Sequence, residues 1–210
     1  MVEFNHEGRY YKLTTDWSEM TLRQFINLNK IQDKNKVLKM PDEIITLQLI
    51  ECLSDAELGE FDEMSYGQLN ELAENLAKLL YQINTYDPTA TKPSAFFVVN
   101  GTNYSYRLNP NEYTVGEIAD IKTFIQNKAN EWDYIADIAA VMIRPATKQT
   151  TEGNKEYWKL IKRNPLDFEN NKQVILGMKL SDVIQVVNFF LSGLMKSIEG
   201  TSDYSETKVV

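Results

Sequence analysis

The chain has 210 residues, and its hydrophobic fraction of 43% is large enough to build the core of one large domain or two small ones. Thirty acidic residues against 22 basic ones give a net charge of −8, which disfavours binding to nucleic-acid phosphates or to an anionic membrane surface. We therefore expect partners that are neither nucleic acid nor membrane.

The expected compartment follows from the cysteine content and from the N-terminal segment. Cys52 is the single cysteine, so the chain cannot form an internal disulfide, and its apolar neighbours predict a small buried side chain. The first residues lack the basic start and apolar run of a secretion signal, and no stretch of about 18 apolar residues could cross a bilayer. These features predict residence in a reducing cytoplasm.

The first predicted elements are a β-hairpin and two helices. Residues 2–13 alternate in polarity and turn near Gly8, which predicts two strands. Thr21 and Gln24 have the spacing of a capping box, so a helix is predicted over 21–31, followed by another over 41–53. Ser54 and Glu57 have the same spacing, and here the sequence predicts a helix start in a short turn over 55–60.

A longer helix and a linker follow. Ser65 and Gln68 form a further capping box, and leucines at helical spacing predict a helix over 65–84. Residues 84–93 have the composition of a loop and are the best candidate for a linker. We therefore predict one half over 1–87 and a second half over 88–200, with a flexible tail over 201–210.

The second half opens with the strongest local signal in the chain. Residues 95–108 contain two aromatic and β-branched runs around Asn100 and Gly101, a pair that suits a type I′ turn. Thr114 and Glu117 then form a capping box for a helix over 114–127. A very apolar helix over 131–143 is expected to end before Pro145.

An insertion near 146–170 has no counterpart in the first half. It contains a polar loop over 147–154 and then a predicted helix over 154–163, whose aromatic and basic residues are typical of interfaces. A last helix is predicted over 181–198, although its β-branched residues also allow a buried strand near 183–187. Adjacent phenylalanines on this helix cannot share one face, so one must meet another element or chain. The predicted partner-binding residues are Tyr157, Trp158, Lys162, Arg163, Phe189 and Phe190.

The two halves share an ungapped pattern at a constant offset, for example 101 − 8 = 93. The identical pairs are Phe4 and Phe97, Gly8 and Gly101, Tyr11 and Tyr104, Glu19 and Glu112, and Thr21 and Thr114. The pattern is typical either of a duplication or of one hairpin-to-capped-helix arrangement used twice. The predicted fold class is α+β and mostly helical, with two pseudo-repeated halves that each place capped amphipathic helices after a hairpin.

No catalytic, cofactor-binding or metal-binding residues are predicted. His6 is the only histidine and lies in a predicted turn, so we expect neither a histidine-based triad nor a Cys/His zinc site. Carboxylates such as Asp42 and Glu43 lie next to predicted helix starts, where they complement the helix dipole. No glycine-rich phosphate loop is present.

The segment Asp16–Phe25, with its tryptophan before a Thr-x-x-Gln-aromatic helix, resembles the tail and baseplate-hub assembly chaperones of tailed phages. The Asn100–Gly101 hairpin followed by the capped helix at Thr114 is similar to a second feature of those proteins. The resemblance covers most of residues 1–145 and again 180–195, and the insertion around Trp158 is not part of it.

This resemblance implies a non-enzymatic protein that binds other phage structural proteins in the host cytoplasm while a tail or baseplate is built. In that role, exposed apolar helices would cover a surface of the partner until it assembles. One alternative is a permanent virion subunit, such as a connector or ring component, which could also be a homo-oligomer. An enzyme built on Asp and Glu side chains is a third alternative.

Overall fold

The computed structural model describes residues 1–85, 93–107, 109–126, 132–150, 156–162 and 164–202. The chain divides into two compact units, Met1–Asp87 with Lys179–Ser181 and Pro88–Met178 with Asp182–Val210. The described residues form seven α-helices and two small antiparallel sheets, which confirms the predicted α+β, mostly helical class. Among these helices, none combines the length and the apolar character needed to cross a membrane.

The first unit begins with the predicted hairpin, formed by β1 (Val2–His6) and β2 (Arg9–Leu13). The strands are antiparallel, and Phe4 lies opposite Tyr11. Glu7 and Gly8 both have positive φ angles, 49° and 81°, as a tight turn of type I′ requires. Phe4 and Tyr11 each contact the ring of the fully buried Phe61, at 5.4 Å and 4.9 Å between centroids. The hairpin is therefore held by an aromatic cluster.

Three helices follow, α1 (Leu22–Leu38), α2 (Asp42–Leu53) and α3 (Tyr66–Thr85). The predicted capping box at the start of α1 is confirmed. Gln24 N donates to Thr21 Oγ1 at 3.2 Å, and Thr21 N donates to Gln24 Oε1 at 3.1 Å. α1 continues to Leu38, well beyond the predicted end at residue 31.

The predicted helix start at Ser54 and Glu57 is wrong. Ser54 ends α2 instead, and its hydroxyl donates to the carbonyl oxygen of Ile50. The residues that follow form turns held by the buried Glu51, whose Oε1 accepts hydrogen bonds from Gly59 N at 3.0 Å and Phe61 N at 3.1 Å. The Glu51 carboxylate thus accepts hydrogen bonds from backbone amides in the segment where a local helix cap was predicted.

The second unit begins with the hairpin of β3 (Phe96–Val99) and β4 (Thr102–Ser105), in which Asn100 and Gly101 have the expected positive φ angles of 49° and 76°. Helices α4 (Val115–Gln126) and α5 (Asp133–Met142) confirm the helices predicted there. The capping box of α4 is also confirmed, with Glu117 N donating to Thr114 Oγ1 at 3.2 Å.

The predicted helix over 154–163 is wrong, because this segment contains the strand β6 (Glu156–Leu160). It pairs antiparallel with β5 (Arg144–Thr150), which occupies part of the predicted polar loop. Among the described strands the sheet order is β3-β4-β5-β6. Pairing with the preceding strand overrides the weak helical pattern of this short segment.

The last helices are α6 (Phe168–Leu176), which was not predicted, and α7 (Leu180–Ser202), whose Asp182 onward belongs to the second unit. The alternative of a strand near 183–187 is excluded by α7. α7 also extends two residues into the predicted tail, while residues 203–210 lie outside the described part of the chain, as do 86–92 of the predicted linker.

Candidate protein-binding surface

The strand register of the second unit sorts its sheet residues onto two faces. Residues directly opposite one another on neighbouring strands share a face. The row Phe96, Ser105 and Arg144 therefore lies on one face, and the row Phe97, Tyr104 and Pro145 lies on the other. We call these the Phe96 face and the Tyr104 face.

The Phe96 face carries an aromatic contact between the two outer described strands. The rings of Phe96 on β3 and Trp158 on β6 lie 4.7 Å apart between centroids. In a flat sheet of this order, three strand spacings would separate β3 and β6 by about 14 Å. The sheet must therefore curl so that the Phe96 face becomes concave.

This aromatic pair is not covered by the rest of the described unit. Phe96 is 40% exposed, and Val98, two residues further along the same face of β3, is 62% exposed. Trp158 is half-buried. We call Phe96, Val98 and Trp158 the aromatic edge patch. The patch combines rigid aromatic rings with the outer strands of a sheet, which are features used in protein recognition.

The residues predicted to bind a partner fall in different environments. Tyr157 is 46% exposed on the Tyr104 face, and Lys162 is exposed just beyond the end of β6. Arg163 lies outside the described residues. Phe189 is 48% exposed, whereas Phe190 is fully buried with its ring 4.9 Å from that of Tyr113. Phe190 is therefore a core residue, and its predicted role in partner binding is wrong.

A cavity of about 270 Å³ lies on the Tyr104 face. Its floor is the row Tyr104, Pro145 and Ile161, and Ile161 N donates to the carbonyl oxygen of Pro145 at 2.8 Å. Side chains of α6, among them Phe168 and Val174, line the opposite wall. The cavity is therefore an open cleft lined by the sheet and by α6.

Asn171 of α6 lines the cavity and is bonded to the end of α5. Its Nδ2 donates to the carbonyl oxygens of Ala140 at 2.8 Å and Ile143 at 2.9 Å, at the C-terminal end of α5. Those carbonyls have no helical partners of their own. Its Oδ1 is buried and has no hydrogen-bond partner among the described residues.

A buried ion pair lies next to the cavity. Arg144 Nη1 is 2.8 Å from Glu117 Oε1, and the two side chains are only 7% and 6% exposed. Glu117 Oε2 also accepts a hydrogen bond from Thr114 N at 2.8 Å, so its carboxylate links the start of α4 to β5. Burial raises the pKa of the neighbouring Tyr113 hydroxyl. The ion pair and Tyr113 therefore belong to the buried core of the second unit.

Comparison with known protein families, curated proteins and solved structures finds no match to this chain. Within the described ranges, no group of three or more His, Cys, Asp or Glu side chains is placed to hold a metal ion. The geometry of the second unit is therefore the main structural guide to function.

Sequence reasoning missed three residues that shape this surface, Phe96, Val98 and Asn171. The alternation of Phe96 and Val98 with Phe97 and Val99 was available in the sequence as a signal that one side of β3 faces outward. That β3 is an outer strand follows only from the sheet order. Asn171 gives no sequence signal, because its role depends on the carbonyls of a helix about 30 residues earlier.

Proposed function

We propose that this chain is a non-enzymatic virion morphogenesis protein that binds another phage structural protein during assembly of a tail or baseplate. The observation that carries the proposal is the aromatic edge patch, where Phe96, Val98 and Trp158 present apolar surface on the outer strands of a curled sheet. The resemblance of Asp16–Phe25 to phage assembly chaperones supplies the class of partner.

The physical argument rests on the kind of side chain that is exposed. Aromatic residues are enriched at interfaces, because they bury a large area while losing little conformational entropy. An outer strand also offers backbone groups to an added strand. A partner that covers the patch would therefore gain both apolar burial and hydrogen bonds.

Binding to each purified tail and baseplate protein encoded near this chain tests the proposal. Val98→Asp places a charge in the patch, and Val37→Asp is the matched control, because Val37 is 79% exposed on α1 of the first unit. We expect the dissociation constant to rise at least about tenfold for Val98→Asp, as for loss of an interface anchor, and to stay unchanged for Val37→Asp. Equal effects of the two variants, or no binding to any of these proteins, would contradict the proposal.

Mass spectrometry of purified virions separates the assembly role from its alternative. A protein that acts only during assembly is expected to be missing from mature particles. A permanent connector or ring subunit would be present in several copies, and its detection there would replace the assembly role with the structural one.

A further inference from the structure

We infer that a cleft beside the start of α4, which we call the lysine cleft, is a docking site for an acidic segment of the partner protein, whose Asp or Glu carboxylates pair with Lys159 and Lys162. This inference rests on the proposed function, since it requires a protein partner. It concerns different residues from the aromatic edge patch, so the two can fail separately.

The lysine cleft is lined by the first turn of α4 and by the C-terminal end of β6, and its volume is about 460 Å³. Thr114 and Gly116 line it on the side of the helix, and Leu160 and Ile161 line it on the side of the strand. A Cβ added at Gly116 would meet no other atom within 4 Å, so space is open there. A segment of another protein can therefore enter from the surface.

The charged side chains of the cleft leave an excess of positive charge. Four are basic and two are acidic, namely Arg107, Arg144, Lys159 and Lys162 against Glu117 and Asp120. Arg144 and Glu117 neutralise one another in the buried ion pair, which leaves three cations and one carboxylate. The whole chain has a net charge of −8, so the local sign is opposite to that of the protein. An acidic segment is therefore attracted to this place on a protein that otherwise repels it.

Lys159 and Lys162 are the cations that a partner can reach. Both side chains are exposed, and neither forms a salt bridge within the part of the chain that the structure describes. Arg107 is held by a hydrogen bond from Nη1 to the carbonyl oxygen of Glu112, which leaves further N–H donors on its guanidinium. Exposed ion pairs contribute little affinity each, so we expect these charges to act mainly on the association rate and on the choice of partner.

The surroundings of the lysines favour carboxylates of a protein over other anions. Nucleic acids and anionic membranes carry many charges, and the net charge of −8 repels them. A short acidic segment carries only a few charges. Ile161 lies in the cleft and is 51% exposed, so it gives the aliphatic part of such a segment an apolar contact. Inorganic phosphate has no group that could make this contact.

Titration of the full chain with short peptides, followed by NMR of its backbone amides, tests the cleft directly. The probes are acetylated tetraglutamate amide, its uncharged match acetylated tetraglutamine amide, and inorganic phosphate at the same ionic strength. We expect tetraglutamate to shift the amide signals of Gly116, Ile161 and Lys162, with a dissociation constant at least about fivefold below that of either other probe. Equal affinity for tetraglutamine or for phosphate, or no shift of these signals, would overturn the inference.

Two double variants connect the cleft to the partner. The first combines Lys159→Gln with Lys162→Gln. The control combines Lys34→Gln on α1 with Lys78→Gln on α3, which removes the same charge from exposed lysines of the first unit that have no salt bridge to described residues. We expect the cleft variant to associate with the tail or baseplate protein at least about threefold more slowly at low salt, with a much smaller change for the control.

The outcomes separate this inference from the proposed function. If the two double variants associate with the partner at the same rate, or if the deficit of the cleft variant persists at about 1 M salt, where such charges are screened, the cleft is wrong while the proposed function stands. If the parent chain binds none of the tail and baseplate proteins, the proposed function fails, and the titration with tetraglutamate still decides whether the cleft binds carboxylates.

Discussion

The segments that open the two units follow the same local plan and differ in one buried position. Both begin with a hairpin whose turn has two positive φ angles, and both continue through a short 3₁₀ turn, Trp17–Glu19 or Pro110–Glu112, into a capped helix. The helices start at Leu22 and Val115, which are also 93 positions apart (115 − 22 = 93). At the third position of each helix the first unit has Gln24 and the second has Glu117, and both are buried.

The difference follows from what lies at the end of the next helix. In the first unit Gln24 Nε2 donates to the carbonyl oxygen of Leu53 at 3.3 Å. In the second unit the corresponding partner is the guanidinium of Arg144, which needs an acceptor, and Glu117 supplies it. Where the end of the second helix presents a carbonyl oxygen, the capping residue is an amide. Where it presents a guanidinium, the capping residue is a carboxylate. The comparison shows that the capping residue is chosen by a tertiary contact as well as by the helix.

The two units differ in structure from the end of this second helix onward, after α2 in the first unit and after α5 in the second. After α2 the backbone of Asp55 has a positive φ of 55°, and the chain continues as turns. After α5 the chain continues as β5, and Arg144 pairs with Ser105 of β4. The second unit therefore extends its hairpin into a larger sheet, and that sheet carries both the aromatic edge patch and the cavity.

The largest effect is expected for Glu117→Ala. This change leaves Arg144 buried without its carboxylate, and breaking a buried ion pair costs about 3–5 kcal/mol of the free energy of unfolding. Urea denaturation followed by circular dichroism measures the loss. A double variant with Glu117→Leu and Arg144→Met should recover most of it, because the uncompensated charge is removed. A single variant as stable as the parent chain would contradict the role of the pair.

The reactivity of the Cys52 thiol shows whether the loss of structure in Glu117→Ala is confined to the second unit. Burial raises the pKa of its thiol to about 12, and its Sγ donates to the carbonyl oxygen of Gln24 at 3.5 Å. At pH 8 the folded first unit should therefore hold about a thousandfold less thiolate than an unfolded chain, and alkylation by iodoacetamide should be correspondingly slow. If Glu117→Ala leaves this rate slow while the sheet signals are lost, the first unit is independent of the second.

The matching change in the first unit, Gln24→Ala, should cost less. It removes the capping box and the hydrogen bond to Leu53, but no buried charge is exposed, and Leu53 O still accepts from Thr14 N at 3.0 Å. We expect a loss of about 1–2 kcal/mol. Urea denaturation of both variants under the same conditions compares the two caps, and a larger loss for Gln24→Ala than for Glu117→Ala would reverse the comparison.

The sequence predicted the parts of the fold that are encoded locally. The turn at Asn100 and Gly101 and the capping boxes at Thr21 and Thr114 depend on residues within a few positions of one another, and all three are confirmed. The same reasoning failed at Ser54, because Glu51 reaches the backbone of Gly59 and Phe61 and so determines the local structure.

The surface in the second unit could be predicted only in part. Tyr157 was predicted in a helix and lies in β6, where it is 46% exposed. The approach of Trp158 to Phe96 joins strands that are far apart in sequence. The pairing of β6 with β5, the strand that precedes it, was missed because the segment 154–163 was assigned to a helix. A single sequence gives no covariation to reveal such long-range contacts, whereas a local cap can be read from four residues.

Equal substitutions in the two hairpin turns should have equal effects. Gly8 and Gly101 have φ angles of 81° and 76°, and a Cβ at either position would meet no other atom within 4 Å. The cost of Gly8→Ala and of Gly101→Ala is therefore backbone strain alone, about 1–2 kcal/mol each. Thermal denaturation of the two variants measures it. A clear difference between them would show that one turn is held by contacts that the other lacks.

The smallest effect is expected for Glu7→Asn, which gives the first turn the residue that the second already has at Asn100. Glu7 and Asn100 share a φ of 49°, and asparagine adopts such angles more readily than glutamate. We expect the variant to be more stable than the parent chain by about 0.5 kcal/mol, which would appear as a small rise in Tm. The reverse change, Asn100→Glu, should lower Tm by a similar amount. If Glu7→Asn is destabilising instead, the Glu7 side chain contributes an interaction that the matching backbone does not explain, and the two turns are less alike than their φ angles indicate.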